Sequence, residues 1–288
     1  MNRALNKTLS ERKKHMTDII KTTAQLLTVL RNKKPLVHNI TNYVTVNDCA
    51  NITLAIGASP IMADDIGEAA DITAISSALV LNIGTLNRRT LESMLAAGKK
   101  ANLLGIPVIF DPVGAGASTL RNEATRTILT EIKVNVLRGN MSEISHIAGL
   151  NSSTKGVDAS EEDIALGDGR AIAVAVSKEL GCVTAITGAT DIVTDGYRVA
   201  AVSNGHKMLS EVTGTGCMTT ALIGSYCGAG KDGFMAAAAG IASMGLAGEL
   251  AYEAAGAKGT GSFHMAIIDA ISRLDENIIL ERARIYEK

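Results

Sequence analysis

PVIFDPVGAGAS, residues 107–118, decides the fold. Pro107 to Asp111 is an apolar run of strand length, and an acid and a proline separate it from the glycine turn at Gly114 to Thr119. Continuous hydrophobicity, rather than alternation with polar residues, suits a strand covered on both faces. The same grammar recurs on either side, in ALVLNI at 78–83, VNVLR at 134–138 and VTAIT at 183–187. Each is followed by a glycine-containing or polar turn and then by a helical segment. Helical spacing also marks Met16 to Arg31, Val46 to Ile56 and Thr90 to Leu104, the last ending at Gly105 before Pro107. Strands alternating with helices predict an α/β fold with a mostly parallel sheet between helical layers. Asp191 to Ser203 reads as an antiparallel hairpin turning at Asp195-Gly196, which gives the sheet a mixed edge. From about Cys217 to Arg284 the chain reads as almost wholly helical, with breaks at Gly230, Gly256 and Gly261. No repeat or Pro-rich linker interrupts it. A single domain over 17–288 is expected, preceded by a polar, basic tail over 1–16 that is expected to be disordered.

Composition narrows the function. In 288 residues, 28 Lys and Arg face 29 Asp and Glu for a net charge of −1, so no field attracts nucleic acid or an anionic membrane. The first twenty residues are charged throughout and contain no signal-like apolar run. The longest uncharged run, 233–248, is mostly Ala and Gly and falls short of the roughly 20 apolar residues of a bilayer span, so it reads as a buried helix. Cysteines at 49, 182, 217 and 227 form no CxxC pair, which fits a reduced, cytoplasmic setting. No Trp, 3 Phe and 5 Tyr leave few platforms for base stacking.

Ligands of open parallel sheets bind beyond the carboxyl ends of the strands. Those ends carry Asn82-Ile83-Gly84-Thr85, Asp111-Pro112, Arg138-Gly139-Asn140 and Thr187-Gly188. An acid, an arginine, two amides and glycine turns on one rim make a candidate site, although each alone could be a turn or cap residue. The turn at 114–119 lacks the third glycine of a dinucleotide fingerprint, and no GxxxxGK precedes Ser or Thr, so a P-loop is excluded. A second glycine turn, TGTGC at 213–217, runs directly into MTTALIGSYC. At a helix start, free N–H groups and the positive end of the dipole receive an anion, and glycine permits close approach. Gly214, Thr215 and Gly216 are therefore a candidate anion hole, and by itself the segment could equally be a tight turn.

Nine ordered blocks add to this reading: PLVHNITN at 35–42, GASPIMA at 57–63, LVLNIGTL at 79–86, PVIFDPVGAGAS at 107–118, RGNMSEI at 138–144, AITG at 185–188, NGHKML at 204–209, TGTGC at 213–217 and KGTGSF at 258–263. Together they resemble the hydroxyethylthiazole kinases of the ribokinase-like superfamily over about residues 35–263. The resemblance implies a three-layer α/β/α fold with a helical C-terminal third. It also implies transfer of phosphate from ATP to 4-methyl-5-(2-hydroxyethyl)thiazole with Mg²⁺, in thiamine salvage, and a homotrimer whose active sites lie between subunits. Carried over by position, Met62 lines the thiazole pocket and Gly214 meets the hydroxyl end. Arg138 and Thr187 contact ATP, and Asp111 and Glu143 organise the metal and its waters. These types suit the task, since Mg²⁺ prefers oxygen ligands and a guanidinium clamps phosphate. Without the resemblance, Glu143 reads as a solvated helix residue.

Asn39 and Asn42 are expected near the site, whereas His38, His146, His206 and His264 read as structural. Cys217 stands where many ribokinase-like enzymes have Asp, and at a helix start its thiolate would be stabilised. It is a candidate base, with a small residue filling the helix start as the alternative. Competing functions are a hydroxymethylpyrimidine or pyridoxal kinase, an ATP-dependent nicotinamide-hydrate dehydratase, or a non-catalytic sensor of ATP or thiazole. GASPIMA and HNITN weigh against the other enzymes, and the Asp111, Glu143 and 214–217 set weighs against the sensor.

Overall fold

The computed structural model describes the backbone of residues 2–151 and 165–287 and the side chains of 18–149 and 169–287. Among the described residues, nine strands form one sheet: β1 Leu36–Ile40, β2 Ser59–Ile61, β3 Ala78–Asn82, β4 Val108–Asp111, β5 Val136–Asn140, β6 Val183–Thr187, β7 Asp191–Thr194, β8 Val199–Val202 and β9 Ile285–Glu287. Their order is β2-β1-β3-β4-β5-β6-β7-β8-β9. The first six in that order are mutually parallel, and β7, β8 and β9 continue antiparallel. The helices are α1 Asn2–Lys33, α2 Val46–Ile56, α3 Ala69–Ala74, α4 Arg88–Leu104, α5 Thr119–Glu131, α6 Met141–Asn151, α7 Ala165–Leu180, α8 Thr215–Ala229, α9 Gly233–Ala255, α10 Thr260–Arg273 and α11 Glu276–Arg282. The expected tail over 1–16 falls on the beginning of α1, and its side chains lie outside those described.

Side-chain alternation along fully apolar strands creates the two outer layers. In β3, Val80 joins a core with α1, α2, α8, α9 and α10, while Leu79 and Leu81 join another with α4, α5, α6 and α7. The expected α/β/α sandwich is therefore present. α8 lies close on the sheet because Gly224 faces it: a Cβ there would come within 2.5 Å of Val80. α9 has the length and apolarity of a membrane span, yet its apolar window is 89% buried inside the fold. It is the core helix expected from its Ala and Gly content.

Three strands go beyond the sequence reading. β1 carries His38 and Asn39 within an apolar frame, β2 has three residues, and β9 follows the last helix. ALVLNI is accordingly the third strand in chain order, not the first. Within the C-terminal third the break falls at Gly259, with φ +102°, rather than at Gly261, which lies inside α10.

Candidate active site

Parallel register aligns the strand exits. Asn82 is level with Asp111 across β3 and β4, and Asn140 is level with Thr187 across β5 and β6. Onto this rim points the N-terminus of α8. Gly214, its N-cap, has φ +86° and sits so near α2 that a Cβ would come within 2.5 Å of Thr45. Glycine is therefore required twice here, for conformation and for space. Two residues on, a Cβ at Gly216 would come within 2.7 Å of the Arg138 guanidinium. The anion-hole backbone and the arginine are thus immediate neighbours.

Asp111 is fully buried and its two oxygens differ. Oδ2 accepts from Thr220 Oγ1 at 2.7 Å, Asn82 Nδ2 at 3.0 Å and Arg138 Nη1 at 3.4 Å, while Oδ1 has no partner. Burial pushes its pKa up against the opposing pull of Arg138 and Thr220. Arg138 Nη2 donates to Thr187 Oγ1 at 2.5 Å, so the two expected ATP contacts touch each other. Arg138 Nε also lacks a partner.

Glu143 is not a solvated helix residue. Its Oε2 accepts from Asn140 N at 2.8 Å while Asn140 Oδ1 accepts from Glu143 N at 2.9 Å, a reciprocal cap at the start of α6. Oε1 accepts from Gly114 N at 2.8 Å, which fastens the turn after β4 to the same helix. N-x-x-E at 140–143 was a legible capping signal.

Cys217 Sγ receives Nδ2 of Asn42 and of Asn82, each at 3.3 Å. Asn42 is fixed in turn, its Oδ1 accepting from Thr45 N and Thr45 Oγ1 at 3.1 Å. Burial, then the Asp111 carboxylate, raises the thiol pKa against these donors. The stabilised thiolate expected from the helix start is therefore reversed, because desolvation and a neighbouring anion outweigh the dipole and the amide donors.

Two cavities flank this cluster. One of about 560 Å³ is lined by Arg138, Thr187, Asp191, Asn204, His206 and Thr215, among others. The second, about 370 Å³, is lined by Asn42, Asp111, Glu143, Gly214 and Cys217, and both share Arg138 and Gly216. Met62 lines a third cavity with Asn39, Tyr43 and Asn82. Within one chain, then, Met62 and Gly214 do not share a cavity. Thr85 lines both spaces, with exposed Val44 on the wall of one and exposed Tyr43 on the wall of the other.

Two of the four histidines read as structural have ring contacts within the fold. Buried His38 bridges Thr73 Oγ1 at 2.8 Å and the Ala63 carbonyl at 2.7 Å, and burial lowers its pKa. His206 accepts from Met208 N and stacks on Tyr252. Thr220 and Asp191 escaped the sequence reading. Thr220 lies three residues after Cys217 on the same helical face, a polar residue in an apolar helix, which is a usable signal. Asp191 is buried at the mouth of β7, accepts from Gly188 N at 2.9 Å, and burial pushes its pKa up to about 7.

Among the described residues, no group of three or more His, Cys, Asp or Glu could hold a metal by itself. A magnesium ion that retains waters and phosphate oxygens needs only one or two carboxylates. Asp111 Oδ1, buried and unpartnered beside the second cavity, fits that demand, with Glu143 on the same cavity wall.

A profile of the hydroxyethylthiazole kinase family matches residues 27–277. The chain belongs to that family. Proteins named hydroxyethylthiazole kinase from Ruminiclostridium cellulolyticum and Methanocella arvoryzae are 71% and 49% identical to it, over 94% and 90% of this chain and 100% and 96% of their own. A hydroxyethylthiazole kinase structure from Pyrococcus horikoshii matches with a TM-score of 0.85 at 39% identity, covering 93% of this chain and 99% of that one. A pyridoxal kinase from Staphylococcus aureus, 14% identical with a TM-score of 0.57 over 75% of this chain and 88% of its own, shares the fold with the hydroxyethylthiazole kinase family.

Proposed function

We propose that this protein transfers the terminal phosphoryl group of ATP to the hydroxyl of 4-methyl-5-(2-hydroxyethyl)thiazole, giving ADP and the thiazole phosphate for thiamine salvage in the cytoplasm. The observation that carries it is the junction of two cavities at Arg138 and Gly216, beneath the start of α8. ATP occupies the larger space, with Thr187 and Arg138 at its phosphate end, and the alcohol enters the smaller one beside Gly214 and Cys217. The phosphoryl group then crosses in front of the free N–H groups of α8.

Such transfer rests mainly on alignment and charge stabilisation, because the transition state is loose and its charge spreads over the phosphoryl oxygens. Arg138 and the backbone at 214–216 supply fixed positive ends. Asp111 and Glu143 would hold Mg²⁺, which when bound offsets phosphate charge. The raised pKa of Cys217 favours the neutral thiol at rest; only its thiolate minority can accept the hydroxyl proton, so turnover rests first on alignment and charge stabilisation. Thr45 and Asn42 keep the sulfur facing the acceptor space.

Met62 contacts the thiazole from a neighbouring copy in this reading. Met62 and Gly214 line different cavities, and exposed Tyr43 and Val44 on the walls of those cavities offer apolar surface to a second copy, which supports a shared site in a homotrimer. Light scattering should return about three times 29.9 kDa.

The test is ADP release on addition of the thiazole alcohol. Activity on hydroxymethylpyrimidine or pyridoxal about tenfold more efficient in kcat/KM would replace this assignment. ADP release that ignores the thiazole alcohol, hydroxymethylpyrimidine and pyridoxal alike would end it.

A further inference from the structure

Asn82 has every hydrogen-bonding position of its amide filled. Its Nδ2 donates to Asp111 Oδ2 at 3.0 Å and to Cys217 Sγ at 3.3 Å. Its Oδ1 accepts from Asn42 Nδ2 and from Gly84 N, both at 2.9 Å. A primary amide has two donors and an acceptor with two lone pairs, so this pattern admits one orientation only. The side chain is 2% exposed, at the last residue of β3, and the sheet fixes its backbone.

That amide spans the two chemical halves of the site. On one side its donation, with Thr220 Oγ1 at 2.7 Å, saturates Asp111 Oδ2 and leaves Oδ1 as the oxygen without a partner. On the other side it shares Sγ of Cys217 with Asn42. Two N–H groups arriving at one sulfur use its acceptor capacity and turn the S–H proton away from them. Gly84 N ties the same oxygen to the loop that lines the acceptor cavity.

We infer that Asn82 is the positioning residue of the reaction, holding the Asp111 carboxylate and the Cys217 sulfur in one frame so that a single Asp111 oxygen and an oriented thiol face the transferred group. The role rests on the proposed phosphoryl transfer, but its geometric half can be tested without substrate. Asn42 cannot replace it, because Asn42 bonds the sulfur and Asn82 and has no bond to Asp111. Thr220 cannot either, since its hydroxyl reaches Asp111 and not the sulfur.

The experiment compares wild type, Asn82→Asp, Asn82→Ala and Thr220→Val. An aspartate keeps the two accepting bonds to Gly84 and Asn42 but cannot donate to both Asp111 and Cys217. Cys217 is part-exposed while Cys49, Cys182 and Cys227 are buried, so iodoacetamide on the folded, substrate-free protein reads Cys217 alone, with mass spectrometry counting one adduct. Asn82→Asp should be alkylated about tenfold more slowly at pH 8, the effect of losing one hydrogen bond to a charged sulfur. Thr220→Val should be alkylated at the wild-type rate. In the kinase assay, Asn82→Asp should lose about tenfold to a hundredfold in kcat, the usual effect of removing a group that orients a reacting one, with KM for the thiazole alcohol unchanged.

If Asn82→Asp does not fold, Asn82→Ala is measured for the same loss of kcat at constant KM. Wild-type alkylation of a folded Asn82→Asp, equal slowing in Thr220→Val, or wild-type kcat in either folded Asn82 variant would overturn the proposal. Wild-type protein without activity on any alcohol would instead overturn the proposed function, leaving the alkylation comparison to decide the frame around Cys217.

Discussion

The two cavities that meet at Arg138 are built by different means. The larger one is lined by side chains from separate elements, among them Arg138, Thr187, Asp191 and His206, and by a loop tied down from behind. Glu249 accepts from Gly205 N at 2.8 Å and Asn204 Nδ2 at 3.2 Å, and Arg284 holds Glu249 in turn. The smaller one is lined by Asn42, Asp111 and Cys217, which Asn82 ties together, with Thr220 bonded to Asp111 as well. Walls anchored independently of one another tolerate single changes, whereas a site of mutually dependent side chains is sensitive to them.

Asp111→Asn should break that contrast most severely. It removes the buried charge that Arg138 and Thr220 serve, and kcat should fall by about 10² to 10³, the scale of losing a preorganised electrostatic group. A kcat within threefold of wild type, with an unaltered Mg²⁺ profile, would move the chemistry out of the smaller cavity.

Cys217→Ala should follow with a loss of about 10², at the low end for general-base catalysis, because a loose transition state needs the base only late. Cys217→Asp should retain turnover, since a carboxylate at that position would face the same amide donors from Asn42 and Asn82. An alanine variant as fast as wild type would make the sulfur a space-filler.

Arg138→Ala tests the seam between the cavities. Apparent ATP affinity or turnover should fall by about 1.5–3 kcal/mol, the range for hydrogen bonds to charged groups. It also strips buried Asp111 of its cationic partner, so the variant should melt earlier, and adding Asp111→Asn should restore part of the melting temperature. Additive melting changes would show that the pair is not coupled.

The smallest effect belongs to the larger cavity. Asp191 binds its proton more tightly folded, at about 7, than unfolded, near 3.8. Its contribution is therefore fully stabilising below the unfolded value and is lost as pH rises through 7. An asparagine at this position would keep the bond from Gly188, so Asp191→Asn should gain melting temperature over wild type between pH 5 and pH 8, with no gain at pH 4. A gap independent of pH would contradict the shift.

Much of this was legible before any coordinates. VTAIT has its observed bounds, and the hairpin expected over 191–203 spans 191–202, because turn residues flank both segments. Asp111 and Arg138 were found because strand ends on a parallel sheet must share a rim. β1 escapes the sequence reading because His38 and Asn39 interrupt its apolar run; His38 bonds Thr73 and Ala63 and Asn39 Nδ2 donates to the Val37 carbonyl, contacts that only folding makes.

The sequence by itself determined the strand and helix alternation, the rim residues and the family, since these depend on residue type, local spacing and ordered motifs. Only the tertiary structure decided what each rim residue does. Glu143 became a cap for α6 and the Gly114 turn, Asp111 acquired one free oxygen, and the Cys217 thiol shifted toward its neutral form. The physical reason is that burial and hydrogen-bond partners set the state of a titratable group, and those partners arrive from strands and helices distant in sequence.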